Sequence, residues 1–119
     1  MTNLAITGIL AGVALALAAC APPPATVEVH VNIRSHLFEP DVLHVPANTR
    51  VRLVIHNLDP TPEEFESMAL NREKLILGKS TTALLIGPLA VGDYPFSGVF
   101  SPHTAVGRII AEEPPHAND

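Results

Sequence analysis

The 119-residue chain has one cysteine, one tyrosine and no tryptophan. A lone cysteine rules out an internal disulfide and any C-x-x-C redox or metal motif. G-x-S-x-G, H-E-x-x-H and the phosphate loop are also missing. Ser67, Ser97 and Ser101 have no His and Asp at a spacing that makes a triad, so a hydrolase is not expected. Basic charge is scarce as well. Seven Lys and Arg stand against twelve Asp and Glu, a net charge of −5, so no nucleic acid is expected as a partner.

The first twenty residues carry no charge. Leu4 to Ala19 is an apolar run, short and Ala/Gly-rich for a membrane span. It ends in Leu17-Ala18-Ala19-Cys20, which matches a bacterial lipoprotein signal cut just before a lipidated cysteine. Met1-Thr2-Asn3 lacks the usual Lys or Arg, and an uncleaved signal anchor is the alternative. Either way the remainder is expected to lie outside the inner membrane, tethered to a bilayer. The expected organisation is a signal peptide over 1–19, lipidated Cys20 with a Pro-rich spacer over 20–26, one domain over 27–113 and a flexible tail over 114–119. The expected location is the bacterial cell envelope, periplasmic and lipid-anchored through Cys20.

The domain reads as β. Val27, Val29, Val31 and Ile33 alternate with Glu28, His30, Asn32 and Arg34, a strand with one buried face. Ser35 to Pro40 reads as a turn and Asp41 to Val45 as a short strand. Thr49 to His56 is the next, with Val51, Leu53 and Ile55 inward and Arg50, Arg52 and His56 outward. Further strands are expected over 72–77, 80–86, 94–100 and 108–111. Turn signals recur at Pro46-Ala47-Asn48, Gly78-Lys79, Gly87-Pro88 and Gly92-Asp93. About seven short strands at this spacing predict an all-β, Greek-key β-sandwich. Without a disulfide, core burial alone must hold it.

Asn57 to Leu77 is the ambiguous stretch. Thr61-Pro62-Glu63-Glu64 obeys the rules of a capped helix start, which allows one short helix near 62–70. Extended, the same residues put Glu64, Glu66 and Met68 on one face. Hard oxygens beside a soft sulfur can suit a transition metal. As a helix, Phe65, Met68 and Ala69 share an apolar face and Met68 becomes core.

The segments Gly92-Asp93-Tyr94-Pro95-Phe96, Ser101-Pro102-His103 and Gly107-Arg108-Ile109-Ile110 resemble the ligand hairpin of the cupredoxins. Phe38-Glu39-Pro40, Val45-Pro46-Ala47 and Val54-Ile55-His56-Asn57 resemble their early strands. More narrowly, Pro62-Glu63-Glu64-Phe65-Glu66-Ser67 with Arg72-Glu73-Lys74, Gly87-Pro88-Leu89 and Tyr94-Pro95-Phe96 resembles the cupredoxin-like periplasmic proteins of bacterial iron uptake, the EfeO type. The resemblance spans about Val27 to Glu112. It implies a copper- or iron-binding domain that binds or oxidises ferrous iron before uptake. A type 1 blue copper centre is not expected, because it needs a thiolate and Phe100 stands at that place in the loop.

The candidate metal ligands are Glu64, Glu66, Met68, His103 and His36, for a copper or iron ion. His103 sits on the loop where cupredoxins place a ligand, and His36, beside Phe38, can reach the same end. His44, His56 and His116 read as surface, rim and tail groups. The expected function is metal handling in iron or copper uptake, with ferrous iron oxidation as an accessory role. An iron permease or a periplasmic iron-binding protein is the expected partner. The alternative is a metal-free interaction module of the same fold that docks to such a partner.

Overall fold

The computed structural model describes residues 25–115, together with Thr2, Gly8 and residues 11–14. Nine strands follow in order: β1 Val27–Arg34, β2 Leu37–Glu39, β3 Val42–Pro46, β4 Val51–Asn57, β5 Glu63–Ser67, β6 Arg72–Ile76, β7 Thr81–Ile86, β8 Gly92–Gly98 and β9 Val106–Glu112. They form a four-stranded sheet, β2-β1-β4-β7, and a five-stranded sheet, β3-β9-β8-β5-β6. β1/β4 and β3/β9 pair in parallel, and the other pairs are antiparallel.

Alternation decides what each sheet buries. In β1 and β4, Val31, Ile33, Val51, Leu53 and Ile55 enter the core, while Glu28, Arg52 and His30 stay outside. The other sheet contributes Leu43, Val45, Phe65, Ile76, Phe96, Ile109 and Ala111. Three phenylalanines tie the layers together. Phe96 meets Phe38 edge-on with centroids 4.9 Å apart and lies 5.0 Å from Phe65. Gly107 permits this packing, since a Cβ there would come within 2.5 Å of the Phe96 ring and 2.7 Å of the Asp41 carbonyl oxygen.

Two strands exceed the seven expected. Within 35–40, the turn is only Ser35-His36, both with positive φ (52° and 61°). That is the backbone of a tight two-residue hairpin. It returns Leu37–Glu39 onto β1 as β2, with Arg34 opposite Leu37. The second addition is β5, which replaces the optional helix near 62–70. Glu63, Phe65 and Ser67 are buried and Glu64 and Glu66 half-buried, a period of two. β5 is paired by β6 on one side and β8 on the other. That pairing overrides the local capping signal, as tertiary context commonly does with propensity. The Ser67 hydroxyl donates to the Pro95 carbonyl (2.7 Å) and accepts from the Leu70 amide (3.1 Å), closing the turn after β5.

Candidate functional site

Three connections meet at one end of the sandwich: the 35–36 turn, the 57–62 segment and the 99–105 loop. Asn57 organises the middle one. Its side chain is 1% exposed. Nδ2 donates to the carbonyls of Thr61 (2.8 Å), Ile76 (3.3 Å) and Leu77 (3.3 Å), and Oδ1 accepts from the Asp59 amide (3.1 Å). Asp59, placed this way, accepts from the amides of Ser35 (2.7 Å) and His36 (2.9 Å). The hydrogen bond from the His36 amide holds the Asp59 carboxyl below its ordinary value. Burial opposes that shift, and the Ser35 amide and the charges of His36 and Lys79 add to it.

The 99–105 loop is fastened from two sides. The Val99 amide donates to the Glu64 carbonyl (2.9 Å), and the Thr104 hydroxyl donates to the His36 carbonyl (2.9 Å). Beneath the loop lies Glu63, the first residue of β5, 2% exposed. Its Oε1 accepts from the Phe100 amide (2.9 Å) and the Glu64 amide (2.9 Å). Oε2 makes no hydrogen bond to a described residue. Only glycine fits at position 98. A Cβ there would lie 2.7 Å from Glu63 Cδ, 2.8 Å from its Oε1 and 2.8 Å from Ala105 Cβ.

The ligands expected from the sequence are spread over distinct places. Glu64 and Glu66 point from the other side of β5, away from Glu63 and Phe65. Glu66 stands opposite Glu73 of β6. Burial pushes the Glu64 carboxyl up, as do the charge of Glu73, a hydrogen bond to it, and the charges of Glu66 and Glu63. Met68 is 89% exposed on the turn after β5, so it is not core. His103 is exposed on the 99–105 loop. The Thr104–His36 bond brings His36 to the same end, where its Nδ1 lies 3.8 Å from Asp59 Oδ2. Among the described residues no three His, Cys, Asp or Glu side chains group to hold a metal ion. The carboxylates of the middle stretch and the imidazole of the loop are thus not assembled into one cage. Residues 1–19, Cys20 and most of the spacer lie outside the described residues, as does His116.

Asp59 was not among the expected site residues, and Glu63, one of the three carboxylates of the middle stretch, was left out of the expected ligand set. The signal for Glu63 was present: once Phe65 faces inward on a strand, residue 63 must as well.

A family model describing a cupredoxin-like domain matches residues 7–111. An uncharacterized protein of Rickettsia prowazekii (strain Madrid E), RP394, is 41% identical over 87 residues, covering 73% of this chain and 70% of that protein. Auracyanin A, a "blue" copper protein of Chloroflexus aurantiacus, superposes with a TM-score of 0.65 at 13% identity, covering 74% of this chain and 100% of that one. The metal-binding domain of the Cu(I)-exporting P-type ATPase CopA of Streptococcus pneumoniae, solved with Cu(I), does so at 0.64 and 12% identity, covering 76% and 98%. At these identities the two structures speak for the fold alone. The family match, which spans most of the chain, carries the assignment: the chain belongs to the cupredoxin-like domain family.

Proposed function

We propose that this is a lipid-anchored periplasmic protein that handles a transition-metal ion, iron or copper, as cargo for uptake. Leu17-Ala18-Ala19-Cys20 supports the anchor, and the family supports the metal. A blue copper centre does not fit the residues present. It needs a thiolate with two imidazoles. The one cysteine is Cys20, ahead of the β-sandwich, and no three metal-binding side chains group among the described residues. No electron-transfer step through such a centre is drawn.

The donors suit a looser, oxygen-based hold on a passing ion. The observation that carries this reading is Glu63, whose carboxyl is buried under the loop that bears His103, with one oxygen held by two amides and the other bonded to no described residue. Glu63 and His103 are the proposed protein ligands, with water or a partner completing the shell. A carboxylate ligand favours the higher charge of Fe(III) over Fe(II), so the site would assist ferrous oxidation where a separate acceptor, such as a bound copper ion, takes the electron. Glu64 and Glu66, with Glu73, form an acidic face that draws cations toward the domain. Met68 and His36 take no first place in this arrangement.

Titrations of the purified protein with Fe(II) and Cu(II) test it. Glu63→Gln and His103→Ala should each weaken binding at least about tenfold, the scale on which ligand-shell changes act. The double change Glu64→Gln/Glu66→Gln should act less and be relieved by salt. Wild-type protein that takes up neither ion, or affinity indifferent to both Glu63→Gln and His103→Ala, overturns the reading.

A second reading has its own observation. Val99 and Phe100 are 37% and 55% exposed on the same loop, an apolar rim suited to docking on a permease or a periplasmic iron-binding protein. Glu63 would then serve only as a latch. Elemental analysis of protein purified without chelator separates the two: near-stoichiometric metal favours the first, consistently empty protein the second.

A further inference from the structure

On the outer face of the four-stranded sheet, β1 and β4 bring two histidines together. The parallel register sets Asn32 opposite His56 and His30 opposite Val54, so His30 and His56 are diagonal neighbours on one face. His30 Nδ1 lies 2.8 Å from His56 Nε2. The ring planes differ by 7° and the centroids are 5.2 Å apart. That separation exceeds the nitrogen spacing by the two ring radii, so the imidazoles lie end to end in nearly one plane. Their far nitrogens are pinned. His30 Nε2 is 2.8 Å from Glu28 Oε1, and His56 Nδ1 is 2.9 Å from Thr81 Oγ1. Glu28 is itself held by Arg52, whose Nη1 donates to Oε2 at 3.3 Å.

Hydrogen-bond bookkeeping leaves two arrangements. The Glu28 carboxylate only accepts, so neutral His30 carries its hydrogen on Nε2 and turns the Nδ1 lone pair to His56. The Thr81 hydroxyl can donate or accept. If it donates, His56 carries its hydrogen on Nε2 and bonds His30. If it accepts, His56 carries its hydrogen on Nδ1, and two bare nitrogens face each other. The second arrangement repels itself and is completed by a cation.

We propose that His30 and His56 form a surface site for a divalent transition-metal ion, distinct from the loop end. Two imidazoles on adjacent corners of one ion, with bonds of about 2.0–2.1 Å, hold their nitrogens about 3 Å apart, so the pair keeps nearly its present spacing while each ring turns by about 45° to aim its lone pair at the ion. Imidazole donors and the general order of affinities place Cu(II) ahead of Zn(II). Glu28 and Thr81 act as the outer partners that orient ligating histidines and raise their basicity. An open depression lined by Asn32, His56, Thr81 and Lys79 adjoins the His56 side of the pair. Loading moves one hydrogen of His56 from Nε2 to Nδ1 and releases none.

The test is a Cu(II) titration of the full chain followed by electron paramagnetic resonance. Wild type should show, apart from any copper at the loop end, one ion with nitrogen coupling from two imidazoles. His30→Ala and His56→Ala should each weaken its binding at least about tenfold, and Glu28→Gln by up to about tenfold. Glu28→Gln keeps both rings on an exposed face, so its loss reports ring orientation and not folding. Glu63→Gln and His103→Ala should leave this signal unchanged, which separates failure here from failure at the loop end. A two-imidazole signal that survives both histidine changes, or is absent from wild type, overturns the proposal.

Discussion

Glu63 can be tested as a structural group before any metal is added. Its Oε1 is the acceptor for the Phe100 and Glu64 amides, at 2.9 Å each. Glu63→Ala strands both donors beneath the loop. An unsatisfied buried group costs about 1–3 kcal/mol, but removing a buried carboxylate returns part of that. A net loss of about 2–4 kcal/mol is expected, a large share of the about 5–15 kcal/mol that holds a domain of this kind. Glu63→Gln keeps an oxygen in the same place, so both amides stay bonded. It loses only the extra strength of a charged acceptor, about 0.5–1.5 kcal/mol. With no tryptophan, urea unfolding is best followed by circular dichroism, alongside amide exchange at Phe100. The Ala variant should lose far more stability than the Gln variant, and Phe100 exchange should rise in the Ala variant alone. Equal losses, or a Glu63→Ala protein as stable as wild type, would refute the latch.

Asn57 should show the complementary asymmetry. Asn57→Ala removes the donor shared by Thr61, Ile76 and Leu77 and should cost about 2–4 kcal/mol by urea midpoint; Asn57→Asp should cost more, since it sets a carboxylate without a donor against three carbonyls, and an Asp variant as stable as wild type would contradict this account. Asp59 should govern part of the acid limb of stability. Its carboxyl is held low by the His36 amide, so its contribution is complete above the ordinary value of 3.8 and fades as pH falls from there toward the folded-state value. The stability gap between wild type and Asp59→Asn should therefore be wide at neutral pH and close in strong acid; a gap independent of pH would rule the carboxyl out as the cause.

The sandwich was legible because alternation is a local property. Val27 to Ile33 and Val51 to Ile55 show their buried face in the letters alone, and both faces are as expected. β2 and β5 were not legible in the same way. β2 depends on two non-glycine residues, Ser35 and His36, taking positive φ, and nothing in their identity requires it. What supports that turn is Asp59, twenty-three residues beyond His36, accepting both of its amides. β5 carried a valid helix-start signal, which lost to pairing partners at 72–76 and 97–98 that no local rule sees.

The choice between helix and strand also settled which carboxylates could share a site. On the extended backbone Glu64 and Glu66 share the outer face of β5, while Met68 lies beyond the strand on the exposed turn. Phe65 and Ser67 are the residues that β5 buries, and they take Glu63 in with them. A strand can offer the loop end only its inward side chains. The chain therefore places one acid beneath the loop and leaves its neighbours beside Glu73, where burial first and Glu73 next push the Glu64 carboxyl up. The His30–His56 pair follows the same logic on the other sheet. Each histidine reads singly as a solvated surface group. Only the parallel register of β1 on β4, a contact between residues 26 apart, makes them a couple.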